Sequence, residues 1–450
     1  MIIEFFKKNN FPWLPRAGIL FSVCIPSLLF GQQRAGDSVL TTATLENVIQ
    51  YALKHQPLVQ QSLIDERIIE TTIRSKLSDW YPQLRFNYNL QHNFKVQTAV
   101  IGGNPIKLGV DNTSSAQFNL TQNIFDRDAL LARRTAGEVR RASQQATTSV
   151  QIEVVVNTVK AFYDVLTSTQ QIQVAEENIL RLQRSVKDAT SRYKAGITDK
   201  TDYKRATIAL NNATAEKKSN EELLKAKTEY LKAVIGYPSG NDLTIVFNSM
   251  QMENESILDT LQTINYNNRI EYQLLETRKK LYAANVRYNQ WAYLPSVSAS
   301  GAYNFNFQDN QFSKLYSKNY PNSYAALTLS LPIFQGGKRK ADIEQSQWEL
   351  KRLEWDITSI QNNINAEYAQ AMAAYKSYLA NYEAVKENLG LAQEVYDVIQ
   401  LQYQSGLKTY LEVISAETDL RTARINYYNT LYQLLSSKID VQRALGQINY

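Results

Sequence analysis

Between Pro105 and Pro238 the chain carries no proline, and after Pro332 it carries none at all. Proline inside a helix removes a backbone donor and clashes with the preceding turn, costing about 3 kcal/mol. Two proline-free spans of this length permit helices far longer than a compact domain uses. Turns are scarce, with 10 Pro and 16 Gly in 450 residues. A hydrophobic content of 44% excludes a disordered chain. The expectation is a mostly helical fold with few, long elements.

The same turn occurs twice. "RYKAGITDKTDY" spans 192–203 and "QYQSGLKTYLEV" spans 402–413. In each, a tyrosine (Tyr193, Tyr403) precedes a glycine (Gly196, Gly406) by three residues. Gly236 and Gly446 end the following helical runs at the same 210-residue offset, and Pro82 faces Pro295 at 213. A duplication on this scale organises the whole chain. It predicts a first copy over 33–240, with helices at about 127–195 and 199–236, and a second over 241–450, with helices at about 337–405 and 409–446. The first of these helices would be roughly 100 Å long at about 1.5 Å per residue.

Sevenfold spacing marks how the helices pair. Val165, Ile172, Ile179, Val186 and Tyr193 recur every seven residues, with Ser168, Ala175, Leu182 and Ala189 as a companion seam. Val413, Leu420, Tyr427, Leu434 and Val441 do the same, with Ala416, Ala423 and Thr430 between. This is coiled-coil patterning with small residues that allow close approach. Each glycine turn then joins two antiparallel helices, glycine taking the left-handed conformation cheaply.

Four segments alternate with period two, the signature of strands with one polar and one apolar face. They lie at about 83–97, 114–123, 296–308 and 323–332, joined as two hairpins by polar loops such as "GGNPIKLGVDNT". The N-terminus reads as a secretory leader over residues 1–32, with Lys7, Lys8 and Arg16 before an apolar core at 18–30. Alternating strands in an exported chain suggest a membrane β-barrel. Four strands cannot close one, whereas three chains would supply twelve.

The chemistry of single residues is sparse. Cys24, the only cysteine, lies in the leader, so thiolate metal sites and disulfides are excluded from the mature chain. His55 and His92 have neither metal-ligand spacing nor a triad partner. No phosphate-binding loop or dense Lys/Arg block appears, so no cofactor, no nucleic acid and no catalysis are expected. The net charge of +6 is interleaved along helices, which reads as a solvated surface. Tyr375, Tyr378, Tyr382, Tyr396 and Tyr403 read as helix packing.

Taken in order, "TLENVIQYALKHQPLVQQ", "YPQLRFNYNL", "LTLSLPIFQGG", both Y-x-x-G turns and "VQRALG" resemble the TolC family of outer-membrane efflux ducts of Gram-negative bacteria. The resemblance covers most of the chain. It implies a homotrimer with a twelve-stranded barrel in outer-membrane lipid and a long α-helical tunnel in the periplasm. It also implies docking to a periplasmic adaptor (a membrane fusion protein) and an inner-membrane RND or ABC transporter. Small-molecule efflux is the leading expectation. The same duct in type I protein secretion is the close alternative, and a structural coiled-coil surface protein is the alternative of another class.

By the same resemblance, the two tips of each chain form the periplasmic entrance. The closing contacts fall on Thr201 and Asp202 of the first tip and Tyr403 and Lys408 of the second. Asp202 is expected to accept from Tyr403, and Lys408 to reach the first tip. Glu412 is the acid expected to face the axis, its pKa raised by its symmetry mates, while Ser415 stands where a second acid often follows. Adaptor docking is expected at Lys194, Ala195, Gly196 and Ile197, and at Ser405, Gly406 and Leu407.

Overall fold

A computed structural model describes Leu40 and residues 42–246, 252–253 and 255–450. The expected leader, residues 1–32, lies outside the described residues. Helices α1 (Leu45–His55) and α2 (Pro57–Ser78) open the fold. Strands β1 (Gln83–His92), β2 (Thr98–Ile101), β3 (Asn104–Lys107) and β4 (Asn112–Phe125) follow. Then come α3 (Arg127–Lys194), α4 (Lys200–Ile235), α5 (Ile270–Gln290), β5 (Ser296–Asp309), β6 (Asn322–Ser330), α6 (Lys338–Gln404) and α7 (Tyr410–Leu445). The long helices have matched lengths: α3 and α6 hold 68 and 67 residues, and α4 and α7 hold 36 each.

The β-region departs from the sequence expectation in one place. The first strand stops at His92 instead of 97, and the polar loop expected between the strands contains a separate β2–β3 hairpin. Its turn is made by Gly102 and Gly103, both at positive φ, a tight reversal that glycine permits. So six strands form among the described residues where four were expected. The other four make one antiparallel sheet in the order β1-β4-β5-β6.

The register of that sheet sorts its side chains cleanly. Phe86 pairs with Phe118 and that with Tyr303, while Asn87 pairs with Gln117 and that with Asn304. One face therefore carries Leu84, Phe86, Tyr88, Phe118, Tyr303 and Leu327, and the other carries mainly Asn, Gln, Ser and Thr, with Arg85, Ala302, Tyr324 and Ala326 among them. The apolar face is bare: Leu84 is 67% exposed and Leu327 71%.

The helical core sits midway along α3. Phe162, Leu166, Leu231, Tyr375, Leu431 and Leu435 are nearly or wholly buried in one cluster with Val48 of α1. Each such side chain contributes about 2 kcal/mol by burial. The α7 seam is buried along its length, with Val413, Leu420, Leu434 and Val441 at 1% exposure or less. On α3 the companion seam of Ser168, Ala175, Leu182 and Ala189 is the buried one. Small residues there let α3 approach its neighbours closely. The tyrosines of α6 do pack, and they also tie. Tyr375 donates to the Ser256 carbonyl at 2.9 Å, and Tyr368 to that of Gln262 at 2.6 Å, stitching the chain before α5 onto α6.

Four helices end in one motif. At Gly196, Gly236, Gly406 and Gly446, φ lies between 69° and 78°. In each, the next amide reaches back five residues, as from Ile197 to Arg192 and from Leu407 to Gln402. The surroundings differ. A Cβ on Gly196 or Gly406 would meet open space, whereas on Gly236 it would lie 2.7 Å from the His55 carbonyl and on Gly446 2.5 Å from that of Asn268. Gly196→Ala should therefore cost about 1 kcal/mol, the left-handed penalty alone. Gly236→Ala and Gly446→Ala should cost clearly more, since backbone must shift. Thermal unfolding of the detergent-solubilised variants checks the ranking, which fails if all three lose the same stability.

Candidate functional site

The two glycine turns lie side by side. Ala206 of α4 packs with Tyr403 of α6 and Tyr410 and Val413 of α7, closing a small core with Val186 of α3. Sequence spacing puts these residues near their own turns, and the packing of α3 on α7 brings the turns together. The guanidinium of Arg192 stands 4.5 Å from the centre of the Tyr403 ring, a cation–π contact between the first hairpin and the second. Tyr403 also lies 5.8 Å from Tyr410, and Tyr193 lies 5.3 Å from Tyr203.

The expected closing residues are adjacent, but their contacts differ from expectation. Tyr403 is buried, and its phenol is held above the usual range by burial, with Arg192 opposing and Asp202 adding to the effect. Asp202 thus acts on the Tyr403 phenol electrostatically, without the expected hydrogen bond. Thr201 serves the first turn of α4, its amide donating to Asp199. Lys408 does not reach the first tip. It turns along its own helix and donates to Glu412 at 2.6 Å, an i,i+4 pair within its reach.

Glu412 closes a capping box. Its carboxylate accepts from the Thr409 amide at 2.9 Å and from the Thr409 hydroxyl at 3.0 Å. Instead of being raised as expected, its pKa is lowered to about 2, first by Lys408 and then by the Thr409 amide. The expected repulsion needs other carboxylates nearby, and within one chain Glu412 meets a cation and backbone donors instead.

The docking residues are open. Lys194, Ala195, Gly196, Ser405 and Gly406 are exposed, and Ile197 and Leu407 stand 70% and 77% exposed at matching positions just past each glycine. Apolar residues at this place commonly fold back onto the helix; here both project outward.

Sequence reasoning missed a belt of charges above the tips. Arg181 of α3 donates to Glu417 of α7 at 3.3 Å, with Glu417 only 5% exposed. Arg424 of α7 pairs with Glu177 of α3 and donates to Gln393 of α6 at 3.0 Å. Arg421 of α7 pairs with Glu216 of α4. These interleaved charges read as a solvated surface, yet they bond the first hairpin to the second. The available signal was the close set of Glu417, Arg421 and Arg424 on about two turns of helix, aligned with Glu177 and Arg181. Burial raises the Glu417 carboxyl, opposed by Arg181.

His55 bonds the Tyr51 carbonyl at 3.0 Å and stacks on the Tyr51 ring, a structural role. Among the described residues, no group of His, Cys, Asp or Glu is placed to hold a metal ion.

The Glu412 cap carries a pH signature. Its folded pKa is depressed below the ordinary 4.5, so its contribution is complete above that value and lost as pH falls from about 4.5 towards about 2. Protection of the first-turn α7 amides from hydrogen exchange should hold down to about pH 4.5 and decline below it. Glu412→Gln should remove that acid dependence, and a decline beginning near neutral pH would contradict the assignment.

Comparison with known proteins identifies the fold and family. The chain is 22% identical over 436 residues to the outer membrane protein TolC of Salmonella enteritidis, covering 94% of this chain and 86% of that one. It is 21% identical over 418 residues to OprJ of Pseudomonas aeruginosa, covering 91% and 85%. The fold is similar to that of VceC from Vibrio cholerae, with a TM-score of 0.70 at 16% identity, covering 89% of this chain and 96% of VceC. CusC gives 0.72 at 19% identity, covering 89% and 91%. The family described as Outer membrane efflux protein matches residues 48–237 and 268–447, most of the chain, and the protein belongs to that family.

Proposed function

We propose that the protein is the outer-membrane exit duct of a tripartite efflux system in a Gram-negative bacterium. It passes small molecules from a periplasmic adaptor and an inner-membrane RND or ABC transporter to the outside. The observation that carries this reading is the four-stranded sheet with its bare apolar face and its two unpaired edges, β1 and β6. In hydrocarbon an open edge leaves backbone donors and acceptors unsatisfied, so the sheet must be completed by other copies. Three copies give twelve strands, within the range of membrane barrels. The relatives' names speak for efflux over secretion: one Pseudomonas putida relative is a probable efflux pump outer membrane protein.

The helices then form the periplasmic tunnel, and the paired tips form its entrance. Thr201, Asp202, Tyr403, Lys408 and Glu412 line the closing region. The ties that hold one hairpin to the other are Arg192–Tyr403, Arg181–Glu417, Arg424–Glu177 and Arg421–Glu216. Opening the entrance means parting the hairpins, which breaks these ties. The exposed Ile197 and Leu407 give each tip an apolar anchor for the adaptor, flanked by Lys194, Ala195 and Gly196 and by Ser405 and Gly406.

Single-channel recording in planar bilayers tests both parts. The wild-type protein should form channels of small conductance. Arg181→Ala with Arg421→Ala should raise that conductance several-fold, because it leaves Glu417 and Glu216 without their cross-hairpin cations. Large wild-type conductance that the double variant leaves unchanged would keep the duct and remove the lock. A protein that stays soluble without detergent and forms no channel would defeat the reading. Ile197→Asp with Leu407→Asp should leave conductance intact while abolishing adaptor-dependent drug resistance in cells.

A further inference from the structure

The polar face of the sheet is almost free of charge. Across its register Asn87 faces Gln117 and Asn304, Asn89 faces Ser115 and Asn306, and Gln91 faces Thr113 and Gln308. Arg85 is the exception. It pairs with Asn119, and Asn119 with Ala302, so no acid stands opposite it. β1, β4, β5 and β6 contain only one other charged residue, Asp309. Asp309 is in register with Asn112, seven positions along β4 from Asn119 and therefore roughly 24 Å away. Arg85 is exposed and forms no ion pair among the described residues. Asp126, near the same end of the sheet, is used in capping α3.

We infer that Arg85 is the charge-selecting residue of the barrel, three copies forming a cationic ring that favours the exit of anionic solutes. The inference rests on the trimeric duct proposed above. With the apolar face against lipid, the polar face lines the lumen, and Arg85 enters it two residues after the start of β1, at the end of the sheet nearest the helices. In a closed barrel, β1 would pair with β6 of the next copy. That strand, "NSYAALTLS", carries no charge either, so assembly brings no strand carboxylate to neutralise the ring. Twelve strands spaced about 4.8 Å apart and tilted about 40° enclose a backbone cylinder of about 12 Å radius. An arginine reaching inward then holds its charge within about one Debye length of the axis at 0.1 M salt, which is about 10 Å. Rings of Arg or Lys are a recurrent means of selecting anions. The solutes favoured are those bearing a carboxylate, sulfonate or phosphate.

Reversal potentials across a KCl gradient read the ring directly. At about 0.1 M salt, Arg85→Gln should lower the chloride-to-potassium permeability ratio about three-fold, and Arg85→Glu should lower it further. Arg85→Lys, which keeps the charge, should retain the wild-type ratio. At about 1 M, where the Debye length is about 3 Å, the differences should shrink. Channels that form in all four proteins with one common ratio would overturn the inference and leave the duct standing. A Lys variant that loses selectivity together with Gln would also overturn it. Failure of the wild type to form channels would defeat the duct, and this inference with it.

Discussion

A backbone amide or carbonyl left unpaired in hydrocarbon costs several kcal/mol. β1 and β6 each present a row of such groups along one edge, on a sheet whose apolar face is already bare. Everything else follows from completing those edges. In the proposed duct the sheet closes only with further copies, and α3 and α6, which follow β4 and β6, would be gathered around a common axis. The long, proline-free character of α3 and α6 then carries the polypeptide far from the sheet before it turns.

The turns are brought to one place by helix packing, and the packing has two components. The α7 seam contributes buried aliphatic surface along its length. The charged belt contributes direction. Exposed ion pairs are worth about 0–1 kcal/mol, too little to hold helices together. The Arg181–Glu417 pair is different, because Glu417 is almost wholly buried and loses the cation that bonds it if the hairpins part. A buried pair costs about 3 kcal/mol or more to break by removing one partner. In the proposed duct, such contacts would suit an entrance that stays shut until a competing partner supplies new contacts.

Much of the local structure was legible in the residues. Proline-free spans, the Gly196 and Gly406 turns and the period-two strands each have a one-residue or short-range cause. The β2–β3 hairpin was missed because its apolar residues are interrupted by Gly102, Gly103 and Pro105, which read as loop. The proposed gate was legible only as a neighbourhood. Tyr403 and Asp202 are adjacent, but Lys408 prefers Glu412, one helical turn away, over a residue on another hairpin. Local pairing wins there because an i,i+4 contact orders less chain than a contact between hairpins.

By itself the sequence determined the helix lengths, the four glycine ends, the two faces of the sheet and the heptad seams, all set by neighbours within a few residues or one period. Tertiary structure alone decided which charges meet across hairpins and that Gly236 and Gly446 are crowded by the His55 and Asn268 carbonyls. It also left Arg85 without an ion pair among the described residues. The physical reason is the same in each case: these depend on the register between elements hundreds of residues apart, and register is set by the packing of whole faces.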